Sequence, residues 1–240
     1  MDKQNFLDEL DSFLQTDAGN ECLTLLSTST NEEVLEIVAK IPYTQAGVLR
    51  KLSSSKYISV KVAVAENPRT TVSVLDTLSE DADYSVRCAV AGNPHTRVDT
   101  LYNLVYDKEL CVRTTVAQSS RLSEEICLKL IKDECLVRAT LAKNTSIPES
   151  IFEKLVEDKA EIVRCMLARN FNAPSVVLKK LANDKDFYVR KGVAENPTVS
   201  LDILKKLSED KSSDVRAAVA KVLRRLKKFL LSFQQMNLNV

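Results

Sequence analysis

Apolar residues recur along this chain on two rulers. Within a stretch of ten residues they follow a helical spacing; across the chain the same stretch returns every 26 residues. The dipeptide Val-Arg or a close variant marks the beat at Val60-Lys61, Val86-Arg87, Val112-Arg113, Val137-Arg138, Val163-Arg164, Val189-Arg190 and Val215-Arg216, with intervals of 26, 26, 25, 26, 26 and 26. A fixed period of this size is the signature of a solenoid or array. With the basic residue of each pair as position zero, large apolar residues fall at plus fourteen (Leu75, Leu101, Cys127, Phe152, Leu178, Leu204) and Leu at plus seventeen (Leu78, Leu104, Leu130, Leu155, Leu181, Leu207). That spacing is one helical stripe, and it predicts a first helix from about plus ten to plus nineteen, Thr71–Glu80 for example. Val at minus one and Val or Leu at plus three share a face and predict a second helix over Tyr84–Gly92. Ala at plus four (Ala65, Ala91, Ala117, Ala142, Ala168, Ala194) leaves room for a neighbouring helix to come close. Helices this short are marginal alone, so stacking on neighbours has to bury their faces.

Polar positions recur as strictly. Asn stands at plus six in Asn67, Asn93, Asn144, Asn170 and Asn196, with Ser119 the exception, and Asp stands at plus twenty in Asp81, Asp107, Asp133, Asp158, Asp184 and Asp210. A charge that returns in every repeat serves the repeat, so Asp and Arg are expected to form a structural ladder. Asn, often followed by Pro, is expected to stop the second helix by taking a left-handed conformation. Pro148 and Pro174 at plus ten suit the first turn of a helix.

The array extends upstream. Val34, Ala39, Pro42, Leu49 and Leu52 sit 26 residues before Val60, Ala65, Pro68, Leu75 and Leu78. We therefore divide the chain into a helical cap with a decayed repeat (1–33), the array (34–222) and a basic capping helix with tail (223–240), as one continuous domain. The last helix carries a stripe through Val215, Val219, Val222, Leu226, Leu230 and Phe233, and the tail beyond is expected to fray. Phe229, Leu230 and Phe233 are able either to cap the array or to pair two copies.

A hydrophobic share of 45% with 28% charged residues is that of a soluble folded chain. No apolar run is long enough for a membrane span, and MDKQNFLDELDSFL is acidic and amphipathic, unlike a secretory leader. The net charge of +1 hides an asymmetry. Residues 1–60 carry 9 acidic and 5 basic side chains, a net −4; residues 211–240 carry 1 and 7, a net +6. Six cysteines without a Cys-x-x-Cys spacing point to free, mostly buried thiols in a reducing cytoplasm.

Candidate chemistry is sparse. The single histidine, His95, follows an Asn-Pro turn and has no partner set for nucleophilic catalysis. Cys111 and Cys135 lie near helix starts in adjacent repeats, too few to hold a metal. Four glycines leave no phosphate loop. We therefore expect no catalytic residue, cofactor, metal or small-molecule substrate. Two surfaces remain. Lys154, Lys179, Lys180, Lys205 and Lys206, with Lys129, line up on the first helices as a basic ridge leading to Arg224, Arg225 and Lys228. Plus one and plus five of the second helices do not repeat, and among them Gln118, Lys143, Arg169, Lys191 and Glu195 form a candidate binding surface.

Val-Arg-Cys-Ala-Val-Ala-Gly-Asn-Pro at 86–94 and Val-Arg-Lys-Gly-Val-Ala-Glu-Asn-Pro at 189–197, each followed by Leu-x-x-Leu-x-x-Asp, resemble the bacterial leucine-rich repeat variant family. Asp81 to Arg87 is also similar to the core of HEAT repeats. The resemblance covers about residues 34–222 and implies an all-α, right-handed α-solenoid of about seven two-helix repeats, used as an interaction scaffold. Some of that family carry an iron–sulfur cysteine cluster ahead of the repeats; only Cys22 precedes them here, so none is carried over. The expected function is non-enzymatic: a scaffold binding another macromolecule, a protein first, along the concave face formed by the second helices, with no membrane partner. The alternatives are nucleic-acid binding through the basic ridge and, behind it, an enzyme similar to the HEAT-like DNA glycosylases, against which the absence of Trp argues.

Overall fold

A computed structural model describes residues 12–237, with side chains to residue 228. Among the described residues the regular structure is all helical, and the helices alternate in length. The short ones are Ala46–Leu52, Val72–Leu78, Val98–Leu104, Glu124–Leu130, Glu149–Leu155, Ser175–Leu181 and Leu201–Leu207, each of 7 residues. The long ones are Glu32–Lys40, Ile58–Glu66, Tyr84–Gly92, Leu110–Gln118, Cys135–Lys143, Glu161–Arg169 and Phe187–Glu195, each of 9 residues. Asp17–Leu26 precedes them, and Ser213–Asn237, of 25 residues, closes the series. That last helix continues beyond Phe233, where fraying was expected. The amphipathic start of the chain and the side chains of Phe229, Leu230 and Phe233 lie outside the described residues.

The short helices are tighter than the spacing suggested. Pro148 and Pro174 sit at the N-cap, one place earlier than a first-turn proline. Ser123 and Ser200 hold the same place and accept from the N–H groups of Ile126 and Ile203.

The chain falls into two compact halves, Met1–Leu122 and Ser123–Val240. Within each half it is an α-solenoid in which consecutive nine-residue helices stack side by side: Glu32–Lys40 on Ile58–Glu66, on Tyr84–Gly92, on Leu110–Gln118 in the first, and Cys135–Lys143 on Glu161–Arg169, on Phe187–Glu195, on Ser213–Asn237 in the second. The seven valines at minus one, Val60, Val86, Val112, Val137, Val163, Val189 and Val215, are wholly buried, as are the alanines at plus four. Leu75, Leu101, Leu178 and Leu204, with Leu78, Leu104, Leu181 and Leu207, close the core from the short helices. Small residues set the helix spacing: a Cβ on Gly192 would stand 3.1 Å from the Ala168 Cβ, tighter than ordinary carbon contacts.

Candidate interaction surface

Two polar devices join successive repeats within each half and have to be subtracted before any surface is assigned. The first is the ladder. Arg164 donates from Nε and Nη2 to the two carboxylate oxygens of Asp184 at 2.6 and 3.0 Å, and from Nη1 to the Asp158 carbonyl at 2.6 Å. Arg87 holds Asp107 at 2.5 and 2.9 Å, Arg138 holds Asp158 at 2.6 and 3.0 Å, and Arg190 holds Asp210 at 2.7 and 2.9 Å. Lys61 takes the same place with Asp81 at 2.5 Å. The arginines are buried, and planar bidentate pairing fixes both geometry and charge. Each Asp then accepts the N–H two residues on, as Asp184 does from Asp186 at 2.9 Å.

Burial alone would push the carboxyls of Asp81, Asp107, Asp158 and Asp184 up; their bonds to Lys61, Arg87, Arg138 and Arg164 and to the local N–H groups outweigh it and hold them below the usual carboxylate range. In Asp210 the Arg190 bond dominates, with the same result. Carboxyls that lose a proton more easily in the folded chain stabilise it fully above their unfolded value, about 4, and stop doing so as pH falls through the lower folded values. Thermal melts followed by circular dichroism are therefore expected to show a flat Tm down to about pH 4 and a steep fall below it. A decline beginning near neutral pH would remove the ladder as the source of acid sensitivity.

The second device corrects the reading of Asn. Among the described residues no non-glycine residue has a positive φ. Asn67, Asn93, Asn170 and Asn196 end their helices in an extended conformation, with φ between −67 and −74°. Their side chains reach back one repeat. Asn170 Nδ2 donates to the carbonyls of Ala142 and Asn144 at 2.9 and 2.9 Å while its Oδ1 accepts from the Asn172 N–H at 2.9 Å. Asn196 does the same to Ala168 and Asn170 at 2.7 and 2.9 Å, and Asn93 to Ala65 and Asn67 at 2.6 and 3.2 Å. The recurrent Asn is a clamp between repeats, and its hydrogen bonds are used within the frame.

What remains is the outward face of the nine-residue helices. Plus five is open: Gln118, Lys143, Arg169 and Glu195 are exposed. Plus one is more covered than expected. Ala139 and Cys165 are buried and Lys191 is half-buried, because the N-terminal turn of the following helix lies over that position, as the contact from the Cys165 thiol to the Tyr188 carbonyl shows. Sequence reasoning missed position minus two. Leu136, Ile162 and Tyr188 occupy it on three consecutive helices of the C-terminal half and are 55%, 43% and 54% exposed. Minus two and plus five lie two turns apart on one face, about 10 Å along the axis. The C-terminal half therefore presents an apolar row beside a charged row of Lys143, Arg169 and Glu195, in which Arg169 and Glu195 approach at 3.4 Å. In the N-terminal half plus five reads Lys40, Glu66, Gly92 and Gln118, with Lys40 paired to Glu36 on its own helix. Val62, Glu66, Tyr84, Cys88, Gly92 and Cys111 line a cleft of about 560 Å³ there.

The thiols divide unlike the expectation of mostly buried groups. Cys127 and Cys165 are buried, Cys88 is intermediate, and Cys22, Cys111 and Cys135 are exposed; all are free. The pair brought together is Cys88 with Cys111. Burial, and then the hydrogen bond with Cys111, push the Cys88 thiol up to about 11. Burial pushes Cys127 up to about 12. Neither supplies the thiolate that nucleophilic chemistry needs. Among the described residues no three His, Cys, Asp or Glu side chains gather as a metal site, and no helix is long and apolar enough to cross a membrane. His95 is exposed.

The ridge lysines Lys154, Lys179, Lys180, Lys205 and Lys206 are all exposed, as are Arg224, Arg225 and Lys228. Lys180 pairs with Glu157, and Lys206 donates to Asn183 Oδ1. Glu153, Glu157, Asp202 and Glu209 are exposed among them, so the ridge is mixed in sign.

No protein-family model matches the chain, and no curated protein does. Among solved structures, one described as a leucine-rich repeat variant with a novel repetitive protein structural motif aligns over 88% of this chain and 84% of its own at 24% identity, with a TM-score of 0.62. An engineered protein (17% identity, 91% and 83% covered, TM-score 0.42) and a designed armadillo repeat protein (16%, 90% and 98%, TM-score 0.25) are also similar. The first of these likenesses, with the 26-residue helix pairs, gives the chain the fold of the leucine-rich repeat variants.

Proposed function

We propose that the chain is a non-enzymatic scaffold that binds a protein partner across the outward face of its nine-residue helices. The observation that carries this reading is the apolar row Leu136, Ile162 and Tyr188, repeated at one position on successive helices and left open to solvent beside Lys143 and Arg169. The frame beneath it is fixed by the ladder and the clamps, so a partner would meet a preformed surface with little ordering cost. Aromatic and aliphatic anchors flanked by charges are the composition of binding hot spots. The ridge lysines, interleaved with carboxylates, are the weaker candidate for a phosphate backbone. The free thiols are in keeping with a reducing, cytoplasmic location.

The test is affinity capture from host lysate followed by titration of each purified partner. Ile162→Ser combined with Tyr188→Ser should weaken a partner that uses this face by on the order of a hundredfold, about 1.4 kcal/mol per tenfold step. The charge-reversed set Lys143→Glu, Arg169→Glu and Lys191→Glu should weaken it mainly through slower association. Unchanged affinity in both sets, with loss on reversing Lys179, Lys180, Lys205 and Lys206, would move the function to the ridge and to nucleic acid.

A further inference from the structure

The long helix Ser213–Asn237 carries its apolar stripe past the residues that cover it. Val215 and Val219 are buried and Val222 is half-buried. Leu226, next on the stripe, is 43% exposed, and Leu223 beside it is 42% exposed. Lys221, Arg224, Arg225, Lys227 and Lys228 surround them, all exposed. The only acidic residue of that helix is Asp214, in its first turn. Helical spacing puts Lys227 one turn from Leu223 on the same face and Arg225 about 100° round the helix from Leu226, within reach of its long side chain. The face asks for a partner with an apolar centre and carboxylates at its edge.

The first half of the same chain offers one. Helix Asp17–Leu26 buries Gly19 and Leu23 and turns its opposite face outward. Asp17, Glu21 and Leu25 stand four residues apart on that face, and Leu25 is 72% exposed. Asp17, Glu21, Thr24, Leu25 and Gln45 line a shallow cleft of about 580 Å³. One exposed leucine is ordinary surface. An exposed leucine edged by two carboxylates, in a chain that also holds exposed leucines edged by cations, is a matched pair of surfaces. The net −4 of residues 1–60 and the net +6 of residues 211–240 act over longer range with the same sense. A phosphate polymer would satisfy the cations and leave Leu223 and Leu226 in water.

We propose that the basic helix of one copy docks on the Asp17–Leu26 face of a second copy, with Leu223 and Leu226 against Leu25 and with Arg225 and Lys227 opposite Glu21 and Asp17. The contact joins two different surfaces, so it is heterologous and builds rings or open chains. Its small apolar area and solvent-exposed charges make it weak and salt-sensitive.

Sedimentation and light scattering of the full chain test it. At low salt the average mass should rise with concentration above 26.8 kDa, and half-molar salt should return it to the monomer. Asp17→Lys/Glu21→Lys and Arg225→Glu/Lys227→Glu should each be monomeric alone, with thermal melts like wild type because all four side chains are exposed. An equal mixture of the two variants should assemble again, since each then meets the opposite charge. A monomer at every concentration in low salt, a charge-reversed variant that still assembles alone, or a mixture that stays monomeric would each overturn the proposal. None of these variants touches the nine-residue helices, so the outcome is separate from the partner-binding reading.

Discussion

Arg164→Ala is expected to destabilise the chain by about 3–5 kcal/mol. The arginine is 6% exposed and makes three short bonds, two to Asp184 and one to the Asp158 carbonyl. Its removal leaves an ionised carboxylate with 8% side-chain exposure and no guanidinium opposite it. Desolvation of the orphaned charge, rather than the worth of the pair, sets the size of the loss. Three companions separate that cause from lost packing. Arg164→Met with Asp184→Leu removes both charges and should recover most of the loss, short of the bond from the Asp186 N–H that only Asp184 supplies. Arg164→Lys keeps the charge but loses the fork, and should fall between, as the chain's own Lys61–Asp81 pair shows the exchange is accommodated. Arg216 is exposed and donates to the Asp210 and Lys211 carbonyls; its alanine variant should cost only about 1 kcal/mol. Urea titrations give all four. If the Arg164→Ala midpoint shifts no more than that of Arg216→Ala, the ladder is not what joins the repeats.

The frame was legible because it is written seven times. A residue type that returns at a fixed offset identifies its role without knowledge of any distance, and Val at minus one, Ala at plus four, Leu at plus seventeen and the Arg–Asp pairing were all read that way. The boundaries of the nine-residue helices followed as well, Tyr84–Gly92 among them. Asn was misread because the argument for it was local. A stop signal looks only at its own helix, whereas the partners of Asn170 lie 28 and 26 residues back, on carbonyls whose position depends on the stacking distance. Cover at plus one was missed for a related reason. Periodicity within one helix does not say how far the next helix overlaps it. The overlap does leave a trace, an offset of 23 residues linking plus one to minus two of the next repeat. Cys88 and Cys111 stand at that offset, as do Cys165 and Tyr188. The same offset, counted from Ala139 and Cys165, would have drawn attention to Ile162 and Tyr188, which recur with Leu136 as a type, large and apolar, but not as one amino acid.

Asn170→Ala should cost about 2–4 kcal/mol, since two carbonyls that accept from one side-chain amide lose their donor together. Asn170 is 3% exposed, and the bond it makes to Ala142 is buried, so water is poorly placed to substitute. Asn170→Asp is the more discriminating change. It keeps the shape and still accepts from the Asn172 N–H, but it puts carboxylate oxygen against the Ala142 and Asn144 carbonyls. At neutral pH it should be at least as destabilising as alanine. Burial and facing oxygens raise a carboxyl's folded pKa above the unfolded value, so this penalty is present at neutral pH and is relieved as pH falls through the raised folded value. A protonated aspartic acid donates one bond and recovers part of the clamp. The wild-type ladder behaves with the opposite sign, because its carboxyls are depressed. Lowering the pH from 7 to about 4.5 should therefore narrow the Tm gap between Asn170→Asp and wild type, while the gap for Asn170→Ala stays constant. Equal pH behaviour in the two variants, or a loss below about 1 kcal/mol for alanine, would mean that water reaches the Ala142 and Asn144 carbonyls and that Asn170 is a turn residue rather than a clamp between repeats.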